Sequence, residues 1–160
     1  MLFRSQVEHG VSEMITGVDI IKEQIRIAAG EPMSCASRAP FSPFGHAIEF
    51  RVNAEDPDAG FRPSPGTIKG LYLPDGTGVR VDTHIRQGYA IPPYYDSMLA
   101  KLVVWGIDRD EAIARARRAL DEFKVEGVPT TIPFHKRVVD NDAFNRGEVF
   151  TDFIEKEFGD

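Results

Sequence analysis

Apolar and polar residues alternate from His46 to Ala54, with Ile48, Phe50, Val52 and Ala54 on one side and His46, Glu49, Arg51 and Asn53 on the other. A period of two predicts a half-buried strand. Pro57, Gly60, Pro63, Pro65 and Gly66 follow within ten residues. They fix φ angles and remove three backbone donors, so this stretch reads as a stiff loop with no room for a helix. Residues 67–73 and 78–85 read as two more strands, the second with Val79, Val81, Thr83 and Ile85 opposing Arg80, Asp82 and His84. Between them, Pro74-Asp75-Gly76-Thr77-Gly78 carries an Asp-Gly signal and predicts a hairpin. Residues 89–97 form a second stiff loop around Pro92-Pro93, where Tyr94 and Tyr95 could line a pocket but are more often found covering an edge of the core.

From Met98 to Trp105 the chain is apolar except for Lys101 and suits a central strand. Lys101 could reach an anion or a carboxylate such as Asp96, and a structural salt bridge is the preferred reading. Residues 108–123 give the clearest helix: Asp108 caps it, Glu111 stands three residues on, and Ala112, Ala116, Leu120 and Phe123 run down one face. Residues 125–128 suit an edge strand. Residues 130–140 and 142–158 suggest short terminal helices anchored by Phe134, Val138, Phe144, Phe150, Phe153 and Phe158. Near the start, residues 12–30 read as a helix with Gly17 as a candidate break, Asp19 near a start and Gly30 before Pro32 as a stop. Its Ile21, Ile25, Ala28 and Ala29 lie at helical spacing and predict core packing. Residues 31–44 form a connector holding the incidental thiol of Cys35. Strands, hairpin and flanking helices together predict an α+β domain on an antiparallel sheet.

Composition narrows the picture without changing it. A chain of 160 residues suits one domain with a full core, and 42% apolar with 28% charged residues is ordinary for a globular protein. A net charge of −6 argues against a nucleic-acid partner, because a phosphate backbone calls for clustered Lys and Arg. One cysteine excludes an intrachain disulfide and fits a reducing compartment. No apolar run approaches a membrane span of roughly 20 residues, and the N-terminus shows no signal-peptide core. The expectation is a soluble, cytoplasmic chain with no membrane and no nucleic acid among its partners.

Candidate chemistry sits in two places. On the polar side of the 46–54 strand, Arg51 stands among Glu49, Glu55 and Asp56; it could be held ready for an anionic or enolate-like oxygen, or the face could simply be solvated. At the start, Arg4, Gln6 and Glu8 alternate like one face of an extended segment. An arginine, an amide and a carboxylate together could bind a small planar anion and take a proton beside it, and an exposed polar edge would show the same pattern. Four scattered histidines make no zinc site, and His84 reads as a surface residue.

The wording of the chain goes beyond its pattern. RSQVEHGVSEMITGVDIIKEQIRIAAGEP, GHAIEFRVNAEDP, FRPSPGTI, GVRVDTHI, GYAIPPYYDSMLAKLVVWG and RDEAIARARRALDEF, in that order, closely resemble the C-terminal part of biotin carboxylase. That is the ATP-dependent component of acetyl-CoA, propionyl-CoA and pyruvate carboxylases. The resemblance implies an antiparallel α+β C-terminal domain over residues 45–160, preceded in residues 1–44 by a remnant of the ATP-grasp segment.

It also implies roles. Arg4, Gln6 and the Val7 backbone would hold bicarbonate, and Glu8 would be the general base that deprotonates it before attack on the γ-phosphate of ATP. Arg51 would stabilise the biotin enolate, so that Arg4, Glu8 and Arg51 converge as the catalytic set. Met1 to Phe3 read as an arbitrary start, Ser5 stands where the family usually has Ile, and Gly10 where it has Pro. The family's ATP-grasp lid, with its phosphate loop and two Mg-binding carboxylates, has no counterpart in the chain. The implied partners are that missing N-terminal part, a biotin carboxyl carrier protein, a carboxyltransferase and a second copy of the chain. ATP, Mg and biotin would be used by the whole enzyme, and the chain alone would not hydrolyse ATP. The alternative is a non-catalytic module that dimerises or docks the carrier.

Overall fold

The computed structural model describes residues 5–38 and 42–159. Val7 and Glu8 form a turn, not the extended segment that the alternation suggested. The His9 amide donates to the Gln6 carbonyl at 3.3 Å and the Val11 amide to that of Glu8 at 3.2 Å, which winds the chain straight into helix α1, His9–Thr16. Gly17, at a left-handed φ of 67°, ends α1. Asp19 then caps α2, Ile20–Ala28, accepting the Lys22 amide at 2.8 Å. The candidate break at Gly17 therefore divides the stretch into two helices.

The packing expected of α2 does not hold. Ile25 is 67% exposed, and Ile21 and Ile27 are exposed too. Helical spacing reports an apolar stripe but not what covers it, and among the described residues nothing does.

The centre of the fold is a three-stranded antiparallel sheet. Strand β1, His46–Asn53, lies along one side. The stiff loop after it folds into the short pair β2, Glu55–Asp56, and β3, Arg62–Pro63, and then runs into β4, Gly66–Thr67, and β5, Gly70–Tyr72. Phe61 adopts a φ of 57° in that loop, with its ring edge-on to Phe134 at 5.0 Å. Strand β6, Val79–Thr83, forms the other side of the sheet, and β7, Ala90–Ile91, pairs with β4. Strand β8, Met98–Gly106, sits in the middle, as the apolar run predicted.

The predicted hairpin between β5 and β6 is absent. β6 pairs with β8, and β5 pairs with β9, Lys124–Glu126, through Leu71 opposite Val125. The Pro74 to Gly78 connector carries the chain from one ladder to another, and an Asp-Gly signal specifies a turn without specifying its partners.

Helix α3, Arg109–Glu122, follows β8. Asp108 accepts the Glu111 amide at 2.9 Å, while the Glu111 carboxylate accepts the Ile107 amide at 2.5 Å, a capping box displaced by one residue. Phe50, Val52, Ala100, Leu102 and Val104 on one face of the sheet pack with Ala116, Ala119, Leu120 and Phe123 of α3. A second cluster, Ala54, Ile68, Ile85, Ile91, Leu99 and Val128, fills the space among the short ladders.

Helices α4, Ile132–Asp140, α5, Asp142–Arg146, and α6, Phe153–Phe158, close the chain, with Phe134, Val138 and Phe153 buried together. Phe150 is not an anchor: it is exposed in the link before α6. Tyr94 and Tyr95 do not cover the core either. Tyr94 is 86% and Tyr95 82% exposed, with Tyr95 lining a small cleft beside Tyr89, while Tyr89 is the ring that packs against the second cluster. The fold is the α+β, antiparallel-sheet class that the pattern predicted.

Candidate functional site at the turn before the first helix

The sheet face opposite α3 carries charge, and register explains its layout. Arg51 on β1 and Asp82 on β6 both stand opposite Lys101 on β8, while Glu49 and Arg80 both stand opposite Val103. Helix α1 lies across this face, and Gly10 makes that close approach possible. A Cβ there would come within 3.1 Å of Val103 and 3.3 Å of the Glu49 carboxylate.

Arg51 donates to Glu8 Oε2 from Nη2 at 2.9 Å, joining two stretches 43 residues apart. The two side chains are 51% and 54% exposed. An ion pair in that much solvent holds little of the fold together, so both groups remain available to a ligand.

The Arg51 backbone, by contrast, is pinned. Its carbonyl accepts from the Thr131 hydroxyl at 3.1 Å and from His135 Nε2 at 2.9 Å, and Thr131 also exchanges bonds with Asn53. Burial depresses the proton affinity of His135, against a smaller opposite effect of that carbonyl. A neutral ring then donates through Nε2, which settles its tautomer. Neither Thr131 nor His135 was a sequence candidate. Both act through backbone groups across the fold, which leaves no local motif.

Beneath the Arg51–Glu8 pair runs a denser network. Lys101, with its side chain only 12% exposed, reaches the Val7 carbonyl at 3.1 Å, His9 Nε2 at 3.0 Å and Asp82 Oδ2 at 3.5 Å. Its salt bridge is therefore with Asp82, not Asp96, which instead accepts the Met98 amide. Arg80 holds Asp82 with two bonds of 2.8 Å and Glu13 with one of 2.6 Å. Burial works against the charge on Glu13, but Arg80, His9 and the Ile20 amide outweigh it and hold its carboxyl below the ordinary range. Asp82 follows the same balance, with Arg80 and Lys101 as the cations. Glu49 goes the other way: burial raises its proton affinity beyond what Lys101 and Arg51 offset, and Oε2 is buried without a hydrogen-bond partner.

Gln6 and Glu8, with Ser5, His9, Ser12 and Ile20, line a cleft of about 300 Å³. Of the residues picked from sequence, the structure brings Glu8 and Arg51 into contact and sets Gln6 and Val7 in the same turn; Arg4 lies outside the described residues. A larger open hollow, about 890 Å³, lies along α2 between Ile21, Ile25, Arg26 and Arg80. Among the described residues no group of three or more His, Cys, Asp or Glu could hold a metal ion, and no helix is long and apolar enough to cross a membrane. His84 is exposed, and Cys35 is buried and free.

The comparisons with known proteins agree with one another. Residues 49–156 match the biotin carboxylase C-terminal domain, and residues 1–36 match the carbamoyl-phosphate synthase L chain ATP binding domain. The chain is 54% identical over 153 residues to a pyruvate carboxylase subunit of Methanothermobacter thermautotrophicus, covering 96% of this chain and 31% of that protein. It is equally identical, over 153 residues, to the biotin carboxylase of Nostoc sp., covering 96% of this chain and 34% of that one. The biotin carboxylase domain dimer of Hydrogenobacter thermophilus 2-oxoglutarate carboxylase, solved with MgADP, ADP and bicarbonate, superposes with a TM-score of 0.93 at 48% identity, over 98% of this chain and 34% of that one. The chain thus spans about a third of the length of the relatives it matches. With the fold, the order of the motifs and the matched residues in accord, the chain belongs to the biotin carboxylase C-terminal domain family.

Proposed function

We propose that this chain supplies the bicarbonate- and biotin-facing part of a biotin carboxylase, the ligase that carboxylates carrier-bound biotin with MgATP and bicarbonate. The observation that carries the reading is the 2.9 Å contact between Arg51 and Glu8, two exposed and opposite charges beside a cleft. Bicarbonate is a planar anion with one proton to lose. In the turn of residues 5–8, Gln6 and the Val7 backbone orient it with Arg4, and Glu8 accepts its proton, leaving an oxygen free to attack the γ-phosphate. Arg51 offers a planar fork of donors to the negative oxygen that develops on biotin as its ureido nitrogen loses a proton.

The two Mg-binding carboxylates and the phosphate loop of this chemistry belong to the preceding two-thirds of such an enzyme, so the chain by itself cleaves no ATP. Residues 1–44 act as the end of that preceding segment and residues 45–160 as the C-terminal domain. The test is to mix the chain with a separately expressed N-terminal portion of a biotin carboxylase: the expected result is bicarbonate-dependent phosphate release that Glu8→Gln or Arg51→Ala removes.

The exposed isoleucines of α2 favour a second reading: a module that dimerises or docks a biotin carrier without catalysis. That reading predicts assembly on dilution and concentration that is indifferent to Glu8→Gln and Arg51→Ala, with no activity in the mixture. The carboxylase reading places the whole enzyme in the cytoplasm and leaves the choice of acceptor to a carboxyltransferase partner.

A further inference from the structure

We propose that Lys101 is a positioning residue for the site, an ammonium clamp that holds the Val7–Glu8 turn from beneath so that the Glu8 carboxylate faces Arg51. The proposal deepens the bicarbonate-binding reading and rests on it. It begins with an unfavourable placement. Lys101 stands directly across the sheet from Arg51, and like charges in that position repel. Its obvious carboxylate, Asp82, is already held through two bonds by Arg80, and the Lys101–Asp82 distance of 3.5 Å is the longest of the three contacts of the ammonium. The two shorter contacts, 3.1 Å to the Val7 carbonyl and 3.0 Å to His9 Nε2, go to the residues on either side of Glu8. They reach across 94 and 92 residues of sequence to a segment where the chain turns into α1.

The contact with His9 is specific in a way that a simple salt bridge is not. An ammonium has three donors and no acceptor, so His9 Nε2 must accept. The other ring nitrogen, Nδ1, is buried and faces Glu13 Oε1 at 3.1 Å without a formed hydrogen bond. Glu13 is in turn bound by Arg80. Lys101 thus fixes a carbonyl on one side of Glu8 and a ring on the other. Such a clamp restrains the chain on both sides of Glu8. Groups that act through a neighbour in this way matter because a displacement of about 1 Å in a reacting group can cost on the order of 100-fold in rate.

The test uses the chain combined with a separately expressed N-terminal portion of a biotin carboxylase, and Lys101→Met, which keeps the apolar stem and removes the charge. The expected result is a rise of about tenfold or more in the bicarbonate KM with the ATP KM unchanged, and partial recovery in Lys101→Arg. Lys136→Met, at an ion pair with Asp121 away from the turn, serves as the neutral control. A bicarbonate KM equal to that of the unsubstituted chain, with only a lower Tm, overturns the proposal and leaves Lys101 a structural residue.

A second readout uses the chain alone. Nitrogen-15 NMR of His9 is the measurement: in the unsubstituted chain the Nε2 resonance is expected to carry the shift of an accepted hydrogen bond, and Lys101→Met is expected to remove that shift. An Nε2 resonance that Lys101→Met leaves in place overturns the clamp. If the unsubstituted mixture is silent, the carboxylase reading fails, and the NMR result still decides whether Lys101 holds the turn.

Discussion

Arg51 shows how one residue can be fixed and free at once. Two donors hold its backbone carbonyl, while its guanidinium meets Glu8 in solvent. Arg51→Ala should therefore abolish activity in the reconstituted enzyme, by about 100-fold or more, yet change unfolding stability by less than about 0.5 kcal/mol. Urea denaturation beside a phosphate-release assay separates the two. Glu49 gives a prediction of the opposite kind. Its carboxyl is raised above the ordinary 4.5, so above that pH the folded chain keeps a proton that the unfolded chain has lost. Stability falls as pH climbs from 4.5 through the folded value. Glu49→Gln removes this slope, and urea titrations in acid near the ordinary carboxylate range and again in mild alkali should show the variant gaining on the unsubstituted chain at the higher pH. Glu13 and Asp82 are held low, so their contribution is present above 4.5 and 3.8 and is lost as pH falls through their folded values. Glu13→Gln should cost stability at neutral pH and converge with the unsubstituted chain in strong acid.

Among the elements, those that sequence described well are the ones whose signal is local. Period two in β1 and the apolar run of β8 report burial on one face or both, and Asp108 followed by Glu111 reports a helix start. Asp108→Ala should cost about 1 kcal/mol by loss of the cap, and Leu102→Ala, under α3 in the middle strand, about 2–5 kcal/mol. Thermal unfolding by circular dichroism measures both. What the sequence hid depends on partners far along the chain. The Asp-Gly turn after β5 gave no sign that its strands join β9 and β8 separately. The alternation of Arg4, Gln6 and Glu8 is too short to tell a strand from a turn, and the turn is set by backbone bonds into α1. Thr131 and His135 could be found only once α4 was docked on β1.

Taken as a whole, the molecule is organised around a three-stranded sheet with two unlike faces. α3 covers the apolar one. α1 covers the charged one and brings the Glu8 turn over Arg51. The family is legible from the order of its motifs, and the resemblance singles out Glu8 and Arg51, which the fold brings into contact. The salt bridge expected of Lys101 forms, with Asp82 as partner, and Lys101 also faces the turn. Under the proposed function this arrangement supplies one half of a carboxylase site and an N-terminal portion of the enzyme supplies the ATP-binding half. Phosphate release with MgATP, bicarbonate and free biotin tests it most directly, on the chain alone and after mixing with a separately expressed N-terminal portion of a biotin carboxylase. The expected result is silence alone and bicarbonate-dependent release in the mixture, lost in Glu8→Gln. Bicarbonate-dependent hydrolysis by the chain alone, or release in the mixture that survives Glu8→Gln, would contradict it.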